Sequence, residues 1–405
     1  MKKLLLLVFS IFAVTGYIIG CANHLLASPR PEGRVVWELT RDDKHFIDKH
    51  YPGQVLRGAV DAERQITYLA TRAGLYAIQM EEGRPKVQHI LEKHLGKGER
   101  LVLAPGGGVY ASLIPHPSSR GLFSARLFNI RRNQIGGMTE LSPREPPDGF
   151  SALYLGFQGK LIVTETPLDD WEGIRGRFKF TFWKRDGSML YAVDLNGRHT
   201  AILGPSGEAI LLLGDKEALA YSPERKEPRR YSGKFGKAAI VKSESGSIAL
   251  LNPSSPEEIR QVQIFRSSSE PVKIQLPTPV HRLTLAPDGS SAVVIGDQGR
   301  YFYLDPRAGT WREGKRLPFD DSFYIFDSKF VDSRTLALAV QHRTPKATWE
   351  KPTIIIIDQN GNPLFQREFQ IRQATSSIPR IDVTFRSRFI VGFTEDTAIL
   401  IELKE

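Results

Sequence analysis

The stretch HRLTLAPDGSSAVVIGDQGRYFYLDPRAGTWREGKRL, residues 281–317, decides the fold of this 405-residue chain. It holds three short apolar runs, Arg282–Leu285, Ala292–Ile295 and 300–304, and a fourth through Trp311. Each is too short for a helix, and together they are rich in the Val, Ile, Leu, Tyr and Phe that make up short strands. The breaks between them are turn chemistry. In Ala286-Pro287-Asp288-Gly289, proline presets one backbone angle and glycine accepts the left-handed one. At Asp305 through Gly309, an apolar strand ends with Asp and a nearby Gly before the next strand starts. The segment reads as four consecutive antiparallel strands, here called A to D.

The same punctuation recurs along the chain. Leu-small-Pro-x-Gly appears at 103–107, 203–207 and 285–289, each time followed at once by a second apolar strand. The Asp-then-Gly ending recurs at Asp358 with Gly361, and more loosely at Asp186-Gly187. Aligned on these marks, A strands begin near Val55, Leu101, Ala152, Ala201, Ala238, Arg282, Ile325 and Ile381. The spacing is roughly 40–55 residues, the range of propeller blades. A lone four-stranded sheet cannot cover its own faces, whereas a ring of them covers both faces and protects the edges. The expected fold is therefore an all-β propeller of about eight four-stranded blades. Seven is the alternative if the short unit near 199–233 is misread. The last unit shows only three strands, and a spare one, Val35-Val36-Trp37-Glu38-Leu39, lies far upstream without a partner. The economical solution closes the ring by adding that segment to the final blade. A short helix is expected between Thr40 and His50, capped by Thr40 and ended by Pro52 and Gly53.

The chain opens Met1-Lys2-Lys3, continues with an apolar run over residues 4–19, and reaches its sole cysteine in Ile18-Ile19-Gly20-Cys21. A basic start, a short apolar core and a small residue before the cut are the parts of an export signal. The boundary resembles the lipobox of bacterial lipoproteins, which implies that Cys21 receives lipid and becomes the new N-terminus. An uncleaved signal anchor and a plain secretory signal are the alternatives. All three place the bulk of the chain outside the cytoplasm. With Ala22 after the cysteine, the resemblance implies the outer membrane, periplasmic side, in a host with two membranes. The expected layout is a signal peptide over 1–20, a tether over 21–33 and the propeller over 34–405. With one cysteine, no intrachain disulfide can form, so the core has to hold the domain. Loss of Lys2 and Lys3 with the leader lowers the net charge from +10 to +8. That surface is attracted to anionic headgroups or acidic partners. Export argues against nucleic acid.

The chemistry-bearing residues do not assemble into a catalytic motif. His45 and His50 are five apart, which turns them to different sides of a helix. Asp169-Asp170 and Asp320-Asp321 are adjacent pairs whose side chains diverge; loop calcium is the alternative to turn chemistry there. Gly106-Gly107-Gly108 lacks the Lys-Ser/Thr that a phosphate loop needs and reads as a strand turn. No metal, cofactor or catalytic residue is assigned.

The segment Tyr303-Leu304-Asp305 through Gly309 to Trp311, and Leu75-Tyr76-Ala77-Ile78 before Gly83, resemble the repeats of quinoprotein-like and WD40-like propellers. With eight blades and a lipid anchor, the chain is similar in plan, over about residues 34–405, to the propeller lipoprotein of the outer-membrane β-barrel assembly machine. That likeness implies a non-catalytic scaffold for protein–protein interaction in the cell envelope. An extracytoplasmic enzyme, quinoprotein-like or lyase-like, and a surface receptor for glycan or peptide are the alternatives. The expected docking rim is formed by long B-to-C connections that mix aromatic residues with charge. These hold His116, Arg120 and Phe123, then Trp171 and Arg175, then Arg343 and Trp349.

Overall fold

The computed structural model describes residues 33–40, 55–71, 73–92, 99–117, 121–141, 149–169, 176–243, 246–266, 269–317, 322–344, 349–369 and 378–404. They form eight four-stranded antiparallel sheets. The only helical pieces among them are two single 3-10 turns, Phe157–Gly159 and Asp297–Gly299. No helix among the described residues is long and apolar enough to cross a membrane.

In seven sheets the strand order in space follows the chain. The blades span residues 55–92, 100–141, 152–196, 200–232, 235–275, 282–313 and 323–368, numbered 1 to 7. Blade 8 takes strands A to C from Arg380–Val383, Phe389–Phe393 and Thr397–Leu403, and strand D from Gly33–Thr40. All eight expected A strands are present. The unit near 200 is a full blade that is short because its B-to-C link is tight, with the Gly214 amide donating to the Glu217 carbonyl at 2.9 Å.

The turn residues act as their chemistry requires. Amides of Gly107, Gly207 and Gly289 donate to the carbonyls of Ala104, Gly204 and Ala286, each at 2.9 Å, closing three A-to-B turns. Gly207 is left-handed at φ +71°, and a Cβ there would lie 2.3 Å from the Phe157 backbone nitrogen. At a C-to-D turn, Asp305 Oδ1 accepts from the amides of Arg307 and Ala308 at 2.8 and 2.9 Å.

Burial follows position in the blade. In blade 1 strand B (Ile66–Thr71) is wholly buried, whereas strand D (Arg84–Glu92) alternates between half-buried and exposed residues. The apolar clusters straddle neighbouring blades. Val241 and Leu250 of blade 5 pack with Leu285, Val294 and Phe302 of blade 6. Trp37 and Leu39 pack with Val60, Leu69 and Tyr76 of blade 1, so the closing strand is also an inter-blade wall. It pairs with the C-terminal strand from Gly33↔Leu403 to Thr40↔Thr397. At its start Arg34 Nη2 meets Glu402 Oε2 at 2.5 Å, and Arg388 Nε holds the other Glu402 oxygen at 3.1 Å.

This topology sorts the connections. A-to-B and C-to-D turns lie on one face, the turn face; B-to-C and D-to-A connections lie on the other, the loop face. Because Gly33 pairs with Leu403 at the end of strand C, the chain enters the ring on the turn face.

Candidate functional site

The strand ends that bound the three connections expected to carry a docking rim lie on the loop face, and the described residues there differ in availability. Phe123 corrects the expectation. It is 6% exposed, packed with Phe150 and Trp183 in the core between blades 2 and 3, with the Arg100 guanidinium 4.6 Å over its ring. It is the first residue of its strand, and its backbone bonds Phe150 in both directions, which turns the ring inward. His116 is half-buried, and its amide donates to the Leu122 carbonyl at 2.9 Å. Asp169 grips Arg177 at 3.1 Å and accepts its amide at 2.9 Å; those hydrogen bonds hold its carboxyl below the usual range. Arg120, Trp171 and Arg175 lie outside the described residues, as do Cys21, Asp170, the pair Asp320-Asp321 and the helix expected after Thr40.

Blade 7 presents the strongest part of the rim. The half-buried Trp349 ring meets Tyr324 edge-on at 5.0 Å and Phe326 at 5.1 Å, and the exposed Arg343 stands 5.8 Å over it. Tyr324 is 45% exposed. A register slip between Ile325 and Asp327 makes Phe326 an extra residue on strand A, a bulge that re-aims its neighbours. Ile378, 42% exposed, lies in the connection entering the adjacent blade 8 on the same face. Tyr324 and Phe326 were not singled out in the sequence; the run Phe323-Tyr324-Ile325-Phe326 was the available signal.

Around the axis, a second pattern appears only when the blades are superposed. Near the loop-face start of strand A stand Arg282, Asp327, Arg380, Arg57 and Arg100, in the consecutive blades 6, 7, 8, 1 and 2. Arg282 Nε donates to Ser328 Oγ at 2.7 Å, and its Nη2 lies 3.5 Å from Asp327 Oδ1. Asp327 Oδ2 accepts the Ile381 amide at 3.3 Å, and Arg380 donates to the Phe326 carbonyl at 3.1 Å. Burial pushes the Arg282 guanidinium down, Asp327 opposes this, and Arg380 adds to it; Arg57 is lowered by burial and then by Arg380. Burial lowers Lys237 of blade 5 as well.

Deeper in, Asp382 is a four-way tie. Lys329 Nζ donates to Oδ1 at 2.6 Å, while Oδ2 accepts the amides of Val60 at 3.1 Å and Gly106 at 2.8 Å. One carboxylate of blade 8 thus joins blades 7, 1 and 2. Burial disfavours the Lys329 ammonium, but Asp382 and Asp327 outweigh it and hold its pKa above the ordinary value. These groups border an axial cavity of about 820 Å³, whose polar lining includes Lys237, His281, Arg282, Thr284 and Lys329. On the turn face Arg386 reaches Asp288 at 3.2 Å, linking blades 8 and 6. The channel mixes charged groups with apolar walls such as Leu155 and Ile240. Among the described residues no group of three or more His, Cys, Asp or Glu is placed to hold a metal ion.

No family model matches the chain, and no curated protein matches it in sequence. Solved structures do match in shape. The C-terminal WD40 domain of Sif2 aligns with 93% of this chain and 100% of its own, at TM-score 0.56 and 10% identity. Kluyveromyces lactis Hsv2 aligns with 75% of this chain and 97% of its own, at TM-score 0.49 and 12% identity. At such identity the likeness concerns the path of the backbone and no site. What it supports, through a domain that aligns with nearly the whole ring, is the fold alone: an all-β propeller, here of eight four-stranded blades.

Proposed function

We propose that this protein is a non-catalytic docking platform, tethered by lipid on Cys21 and presenting its loop face to a protein partner in envelope assembly. The observation that carries the reading is the aromatic cluster of Tyr324, Phe326 and Trp349 beneath Arg343, partly exposed on blade 7. Aromatic and arginine side chains of this kind are favoured anchors of protein interfaces. The direction of the chain supports it. The ring is entered at Gly33 on the turn face, so a membrane tether holds that face inward and leaves the aromatic rim outward. The test is site-specific photo-crosslinking in intact cells. A crosslinker at Tyr324 is expected to yield a discrete adduct that a second crosslinker at Trp311, on the outer strand of blade 6, does not. No adduct at Tyr324, or the same adducts at both places, removes the rim from consideration. Mass analysis of the membrane-extracted chain tests the tether, because a lipidated Cys21 shifts the N-terminal peptide and Cys21→Ser abolishes the shift.

One observation favours a second reading, an extracytoplasmic receptor or enzyme for a small anion. The arginines converging at the loop-face mouth of the channel repel one another in a partly buried setting. Arg282→Met with Arg380→Met would abolish such an activity while leaving the Tyr324 adduct in place.

A further inference from the structure

The turn face carries a cleft of about 790 Å³ between blades 1, 2 and 3. Its walls are three turns. Arg64 comes from the A-to-B turn of blade 1, Arg131 and Arg132 from the C-to-D turn of blade 2, and Lys184 and Arg185 from the C-to-D turn of blade 3. Five cations face one carboxylate, Asp186, whose Oδ1 already accepts from the amide and hydroxyl of Ser188 at 2.9 and 2.7 Å. Arg64 is held by Asp61 at 2.6 Å. Arg131, Arg132 and Lys184 are exposed and make no ion pair among the described residues.

The scaffold under these charges is fixed. Arg185, half-buried at the base, donates from Nε to Asn129 Oδ1 at 2.9 Å and from Nη2 to the Gly108 carbonyl at 2.6 Å. Tyr68 of blade 1 donates its hydroxyl to the Arg132 carbonyl at 3.0 Å, and Asn133 donates to Gln79 of the same blade at 2.8 Å, so blade 1 pins the C-to-D turn of blade 2 at two points. Arg132 itself is left-handed at φ +56°, a conformation that the surrounding contacts hold. Burial depresses the Arg185 guanidinium, and repulsion from Arg131 and Arg64 adds to it. Concentrated positive charge on pre-ordered turns is relieved best by a compact, multiply charged oxyanion, which fits guanidinium geometry and brings little entropy loss to the protein.

We propose that this cleft binds the phosphate group of a compact anion, and that a phospholipid headgroup is its source. The choice of source, though not the phosphate chemistry, rests on the tethered reading above. Gly33 enters the ring on this same face, which the tether would hold against the bilayer. There an anionic bilayer surface attracts clustered basic side chains.

The test uses the full-length protein in detergent. Inorganic pyrophosphate is titrated calorimetrically into the natural chain, into Arg131→Gln/Lys184→Gln and, as a charge control remote from the cleft, into Lys273→Gln. We expect the double variant to bind at least about tenfold more weakly, with the control unchanged. Arg132→Gln alone serves if the double variant melts early, and a several-fold loss is expected from it. A second arm floats the protein with phosphatidylcholine vesicles, with or without phosphatidate. Phosphatidate-dependent binding that the double variant loses supports the headgroup source. Pyrophosphate binding without it overturns the source and leaves the phosphate site standing. Binding that the variants do not weaken, or no binding of either probe, overturns the site. Competition by polyglutamate as strong as by pyrophosphate also overturns it, in favour of an acidic protein segment. The pyrophosphate arm is independent of the tether, so the two readings fail separately.

Discussion

The Asp382 carboxylate accepts the Gly106 amide at 2.8 Å although the two residues are 276 positions apart, and through this bond the last blade grips the A-to-B turn of the second. The same oxygen holds Val60, and its partner oxygen holds Lys329. The tie therefore spans the seam where the ring closes, and it tests whether the axis is structural.

Asp382→Ala is expected to lower unfolding free energy by about 3 kcal/mol, at the low end for breaking a buried ion pair. The low end applies because 30% of the Lys329 side chain still reaches channel solvent, while the two orphaned amides do not. Urea denaturation measures it. A loss below about 1 kcal/mol, the worth of one ordinary hydrogen bond, would show that the tie is ornamental.

The alkaline limb of stability is the second prediction. The folded pKa of Lys329 is raised above its ordinary 10.5, so its pairing contributes fully below that value and fades as pH rises through the folded one. Buried Tyr68 and Tyr221, each pushed up to about 12, act with the same sign above about 10. Urea midpoints should therefore fall between about pH 10 and 12. In Lys329→Met the fall is expected to be shallower, because only the tyrosines remain. Identical limbs in the two proteins would refute the assignment.

Ring closure depends on Trp37, 5% exposed between blades 8 and 1. Trp37→Ala should cost about 3–5 kcal/mol. Native-state hydrogen exchange is expected to speed up first in Thr397–Leu403 and in Val55–Asp61, the two strands beside the seam. Uniform acceleration in all blades would mean that the ring opens as one unit.

Two left-handed glycines separate backbone strain from crowding. Gly197 at φ +79° has nothing within 4 Å of an added Cβ, whereas Gly207 at φ +71° would drive one to 2.3 Å from Phe157. Gly197→Ala should cost about 1–2 kcal/mol, the left-handed penalty alone. Gly207→Ala should cost distinctly more and loosen blades 3 and 4 together. Equal melting temperatures would overturn this reading of the Pro-x-Gly turn.

Much of this architecture is written locally. The turns at 103–107, 203–207 and 285–289 and the apolar runs beside them mark strands because proline, glycine and β-branched side chains act within a few residues. The unpartnered run around Trp37 and the three-strand final unit together announced the closing pair, since a sheet edge must find a partner. The site was legible only in part. Arg343 stands over Trp349 at the loop face, whereas Phe123, from a loop of the same composition, is buried, because composition at a strand end does not say which way the ring turns. What folding alone decided is convergence. Asp382 meets Val60, Gly106 and Lys329, and Arg64 stands beside Lys184, only because the annulus brings corresponding steps of distant repeats to one axis and one face. Short-range chemistry determines the blade; the closed circle determines which charges share a cavity.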